Sequence, residues 1–238
     1  MLYIPDMMEG AALKAAREKA GWTQVNLAKR LGVTQAYLSL MESGKRRVSL
    51  RLAHRLARLL NLPPTMLPVM TTPLSKDRPT NDWFETQLAR LSYPGFAHRK
   101  RPGAVRHPAE VLLAALAFDE LEPRLVEALP WLLLHYEGFD LQRLVADAKA
   151  QDLQNRLGFT VALARQVAER KQGFEWRLPE LRHFEVALEP SRLAREETFG
   201  QGHANERLRE WLKKERSEAA RHWNLLTDLK SEQLPYAR

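Results

Sequence analysis

Cysteine is missing from all 238 residues. Its absence excludes disulfides, thiolate-bound zinc and cysteine nucleophiles, and it fits a reducing compartment. No apolar run approaches the length that crosses a bilayer. The first residues also lack the basic-then-apolar order of a secretory signal, so a cytoplasmic location is expected. His-Glu-x-x-His does not occur, and none of the seven histidines pairs with another at i, i+4. No helix face therefore offers two metal ligands with a base between them. His135, in an apolar stretch, reads as a hydrogen-bonded core residue. Gly200-Gln201-Gly202 lacks the strand-to-helix setting of a phosphate loop. The adjacent carboxylates Asp119-Glu120 and Glu196-Glu197 fall where surfaces and helix ends expect them. No catalytic residue, metal or cofactor is expected, and the chain does not read as an enzyme.

Acidic residues are scarce at one end. In residues 1–70 only Asp6, Glu9, Glu18 and Glu42 oppose eleven lysines and arginines, a net of +7. The remaining residues hold 26 bases and 25 acids, a net of +1. Nearly all of the chain's +8 charge thus sits in its first third, which points to a polyanionic partner for that stretch.

The same stretch contains two short helical patterns that meet at a glycine, from Thr23 to Glu42. Thr23 is placed to cap the first, whose buried stripe is Leu27, Ala28 and Leu31. Gly32 suits the positive φ needed where that helix stops. Thr34 caps the second, with Leu38 and Met41 inward and Gln35, Ala36, Tyr37 and Ser39 on or near the outer face. A short, polar, uncharged face of this kind suits a helix lying in a DNA major groove. The run Lys45-Arg46-Arg47 follows directly and is placed to contact phosphates.

The stretch from Leu13 to Met66, within residues 8–68, resembles the phage repressor and Cro-like helix-turn-helix family, also called Xre. The resemblance rests on Leu13, Arg17-Glu18, Gly21, Thr23-Gln24, Leu27-Ala28, Leu31-Gly32-Val33, Gln35, Leu38-Ser39 and Glu42-Ser43-Gly44. It implies five helices, near 8–20, 23–31, 34–42, 49–60 and a short one from Pro63 or Pro64. It implies that Gln24 holds a phosphate, that Gln35 reads a base edge, and that Arg17 and Glu42 pair inside the domain. The expected DNA-binding set is Thr23, Gln24, Thr34, Gln35, Ala36, Tyr37, Ser39, Lys45, Arg46 and Arg47. Leu40 departs from the family, which usually carries a polar or basic residue there. Family members often dimerise near the end of the fourth helix, which makes Leu62, Met66 and Leu67 candidates for an interface as well as for core.

Beyond residue 70 the pattern is again helical, giving an all-α fold with a larger C-terminal domain. The expected division is a reader at 1–70, a linker at 71–80, and residues 81–238 for dimerisation, sensing or partner binding. Residues 1–7 read as a disordered arm, with packing on a partner through Leu2, Tyr3 and Ile4 as the alternative. A helix is expected near 83–91, then a long basic loop over 92–107. Further helices follow from Pro108, from Pro123 with a break or kink at Pro130, near 140–157 and 159–171 divided around Gly158, near 179–188, and near 203–229. The last would carry Trp211 and Trp223 on one face. The functional expectation is a sequence-specific regulator of transcription, a repressor that binds double-stranded DNA as a homodimer on a palindromic operator. An antitoxin whose helical C-terminal region neutralises a protein toxin is the alternative, and a DNA-tethered enzyme the third reading.

Overall fold

A computed structural model describes residue 8 and residues 10–69, 79–200 and 204–237. The arm expected at 1–7, and most of the linker expected at 71–80, lie outside the described residues. The chain divides into two compact units. The described residues up to 69 form one, together with Pro102–Glu110. Those from 79 to Arg101, together with those from Val111 onward, form the other.

The first unit is a small helical domain whose helices start where side chains can start them. Its helices are α1 (Gly10–Lys19), α2 (Gln24–Leu31), α3 (Gln35–Glu42) and α4 (Leu50–Leu60), with a 3-10 turn at Pro64–Met66. Hydroxyls of Thr23, Thr34 and Ser49 accept from the backbone N–H of Asn26, Tyr37 and Leu52, meeting donors that the helix itself leaves unpaired. Gly32, at φ 68°, ends α2 in the left-handed region, and its N–H returns to carbonyls of that helix. Leu13, Leu27, Leu31, Leu38, Met41 and Leu56 meet in a core closed to solvent. Of the candidate interface residues, Leu67 is buried in that core and Leu62 packs against it.

The second unit is built around α9 (Gln154–Arg170), which is buried along most of its length and packs against α7 (Pro123–His135) and α10 (Leu178–Leu188). The other helices are α5 (Asn81–Arg90), α6 (Pro108–Leu116, in this unit from Val111), α8 (Leu141–Ala150), α11 (Glu206–Glu215) and α12 (Glu218–His222). The strands β1 (Glu197–Thr198) and β2 (Leu225–Leu226) pair in parallel. Buried Asn155 fastens the irregular stretch after α10. Its side chain donates to the carbonyl of Leu193 and accepts from the N–H of Leu193, both at 2.9 Å. No helix among the described residues is long and apolar enough to cross a membrane.

Several elements differ from the sequence expectation. Gly158 divides nothing: it lies inside α9, where a β-carbon would sit 2.5 Å from the Trp223 ring. The break falls instead at 151–153. Pro130 stays within α7. The run Ala128–Leu134 around it is wholly buried, and that burial outweighs one missing backbone hydrogen bond.

The long final helix is two short ones. Arg216 leaves the helical region at ψ 142°, and the Ser217 hydroxyl caps α12 through the N–H of Ala220. Trp211 and Trp223 consequently do not share a face: Trp211 is 48% exposed and Trp223 only 2%. The basic loop contains a 3-10 helix at Pro94–Arg99, where Arg99 pairs with Glu85 at 2.7 Å. His135 does hydrogen-bond, to the carbonyl of Trp131 at 3.1 Å, but at the exposed end of α7 and stacked on the Trp131 ring.

Candidate nucleic-acid interface

Four side chains of the first unit form a continuous chain of hydrogen bonds from the core to the surface. Arg17, on α1, is buried, and its Nε donates to Glu42 Oε1 at 2.6 Å while Nη2 donates to Oε2 at 3.0 Å. Glu42 closes α3 and is equally buried, so α1 is clamped to the end of α3 by a two-bonded ion pair. Burial alone would push the Glu42 carboxyl up. The hydrogen bonds from Arg17 and Gln24, with the positive charge of Arg17, hold it below the usual glutamate range instead.

Glu42 Oε2 also accepts from Gln24 Nε2 at 2.9 Å, and Gln24 Oε1 accepts from Gln35 Nε2 at 2.7 Å. This sequence fixes both amide orientations by elimination. A carboxylate only accepts, so Gln24 must turn its NH2 to Glu42 and its carbonyl to Gln35, which must then donate. Gln35 is left with Oε1 and one N–H uncommitted. That pair matches the adenine edge, which offers one donor and one acceptor in the major groove; the guanine edge offers two acceptors and would need two donors.

The surrounding residues are laid out along the same edge. Thr23 and Thr34 are exposed, and their hydroxyl oxygens serve as caps, which leaves each hydroxyl hydrogen free to donate. Ala36 is exposed, and Ser39 is half-buried. Tyr37 is half-buried against the core, and the Arg46 guanidinium lies over its ring at 4.6 Å from the centroid. Lys45, Arg46 and Arg47 are all exposed just beyond α3. Leu40, the residue that departs from the family, is 40% exposed on α3.

Sequence reasoning gave Gln24 and Gln35 separate roles and missed their bond. Both occupy the first position of their helices, but the crossing of α2 and α3 that joins them has no local signal in the sequence. The Arg30 guanidinium, on α2, lies over the Trp22 ring at 4.6 Å from the centroid. Among the described residues no three histidines, aspartates or glutamates gather as metal ligands would.

A family model described as helix-turn-helix matches residues 13–67, and these include all of α2 and α3. An "Uncharacterized HTH-type transcriptional regulator" of Archaeoglobus fulgidus is 43% identical over 49 residues, which are 21% of this chain and 70% of that protein. No solved structure matches the chain. With most of that relative covered, and with its capped helix pair and glycine turn in place, the chain belongs to the Xre/Cro-like helix-turn-helix family.

Proposed function

We propose that the protein is a sequence-specific, double-stranded-DNA-binding regulator of transcription, a repressor that sits on a two-fold symmetric operator as a homodimer. The observation that carries this reading is the anchored Gln35. A base-reading side chain discriminates only if it is held still, and the bonds through Gln24 and Glu42 to Arg17 hold it. In this reading α3 enters the major groove, Thr23, Gln24 and Thr34 contact phosphates at its edge, and Lys45, Arg46 and Arg47 neutralise the backbone beyond it. One such helix covers only a few base pairs, too few to pick a site from a genome, so a second copy must supply the other half-site. The C-terminal unit contributes to that pairing, with exposed Trp211 rather than buried Trp223 as the available aromatic.

The test begins by selecting a preferred site from random duplex DNA. Gln35→Ala is expected to cost about 1–3 kcal/mol on that site and little on random DNA. Replacing Lys45 or Arg47 should weaken both and flatten the salt dependence by about 0.9 for each phosphate no longer neutralised. Equal weakening of both DNAs by Gln35→Ala would remove its base-reading role. Sedimentation of the full chain, with titration against whole and half operators, checks the dimer. A monomer that binds half and whole sites alike would free the C-terminal unit for a protein partner, as an antitoxin role requires.

A further inference from the structure

A second basic surface of the first unit takes no part in the α3 face. Along α4, Arg51, Arg55 and Arg58 recur at helical spacing and line a cavity of about 790 Å³ with His54. Gly103, Ala104 and Val105 line it too, from the segment Pro102–Glu110 that belongs to this unit. That segment is fixed, because His54 Nε2 donates to the carbonyl of Val105 at 2.9 Å and Val105 packs against the core. Ala57, Leu62 and Leu67 supply an apolar lining. Among the described residues no carboxylate lines the cavity.

Several arginines elsewhere in the chain are neutralised where they stand. Arg17, Arg99, Arg143, Arg156, Arg165 and Arg216 each have a carboxylate partner. Among the described residues Arg51, Arg55 and Arg58 have none; Arg55 donates to the carbonyl of Arg30 and Arg58 to that of His54. Three like charges thus stand along roughly 10 Å of helix at 1.5 Å per residue, at a partly open cavity, with no carboxylate among the described residues to offset them.

We propose that this cavity binds a small organic polyphosphate of the nucleoside diphosphate class. Guanidinium forks match phosphoryl oxygens two at a time, and three of them suit a ligand with more than one phosphoryl group. The volume is that of a ligand pocket, and its apolar lining suits a ring. The DNA backbone is the poorer occupant. Arg55 is tied to the carbonyl of Arg30, about 9 Å along α2 from Gln24 and the reading edge, and Gly103, Ala104 and Val105 share the cavity with the arginines.

Calorimetric titration of the full chain with ADP, adenosine and inorganic pyrophosphate, at fixed ionic strength, tests the site without any DNA and so independently of the reading role. One ADP should bind per chain, with adenosine and pyrophosphate each weaker by at least about tenfold, or 1.4 kcal/mol. The double variant Arg51→Ala/Arg58→Ala should lose ADP binding while its circular dichroism melt is unchanged, and Lys45→Ala/Arg46→Ala should keep it. Failure of ADP to bind, or equal loss in the Lys45→Ala/Arg46→Ala variant, overturns the site. Pyrophosphate binding as tightly as ADP overturns the organic part of the ligand. An Arg51→Ala/Arg58→Ala protein that keeps ADP but loses affinity for random DNA assigns the arginines to the DNA backbone and overturns the proposal.

Discussion

Glu42→Ala is expected to destabilise the N-terminal unit by about 3 kcal/mol, because it leaves the buried Arg17 guanidinium with only the exposed Glu18 carboxylate at 3.3 Å and the Trp22 carbonyl at 2.8 Å. The side chains of Arg17 and Glu42 are only 8% and 3% exposed, so water cannot replace the missing partner. Hydrogen exchange of the α1–α3 amides in the full chain reads the effect directly, without confusion from the second unit. Unchanged protection would mean that the pair contributes nothing. The pH dependence has a defined sign. The folded Glu42 carboxyl lies below its unfolded value of about 4.3, so its stabilisation is fully present above that value. It is lost as the pH falls through the folded value, and the gap between wild type and Glu42→Ala should narrow there. Replacing both partners with apolar residues, as in Arg17→Met/Glu42→Leu, should recover most of the stability. Gln24 would then lose its acceptor, and the preference for the base under Gln35 should relax although the domain stays folded. That outcome would separate the clamp's structural effect from its effect on reading.

The elements that the sequence made legible are those whose cause is local. Thr23, Thr34 and Ser49 announce helix starts because a hydroxyl can reach its own helix three residues on, and Gly32 announces a stop because it tolerates φ 68°. The all-helical class followed from the spacing of apolar residues. The misread elements have distant causes. Gly158 has the look of a breaker, but its partner Trp223 is 65 positions away, and only the fold brings them together. Pro130 has the look of a break until the burial of the whole run Ala128–Leu134 is known. At 216–217 the reverse holds. The apolar periodicity from Leu208 to Leu226 runs straight through a serine cap, because the period records which residues are inward and not whether the backbone between them is continuous. In the candidate site the residue types were legible and the connections were not. Gln24 and Gln35 are eleven positions apart, and their bond depends on how α2 and α3 cross.

Gly158→Ala is expected to destabilise the second unit, although in an open helix the same change would stabilise by about 1 kcal/mol. The added methyl would lie 2.5 Å from Cε3 and Cζ3 and 2.6 Å from Cδ2 of Trp223, well inside van der Waals contact. Neither side can yield easily, since Trp223 is among the largest fully buried side chains and α9 is held against α7 and α10. Overpacking of this kind costs about 1–3 kcal/mol or more. Trp223→Ala removes the indole and should cost about 3–5 kcal/mol through the packing it gives up and the cavity left behind. The decisive measurement is the double-mutant cycle by urea denaturation of the full chain, with hydrogen exchange of α9 to locate the transition. With the indole gone the new methyl has room, so in the Trp223→Ala background Gly158→Ala should turn neutral or stabilising by up to about 1 kcal/mol. Additive costs, or a Gly158→Ala protein more stable than wild type, would show that α9 and Trp223 do not meet at this close approach.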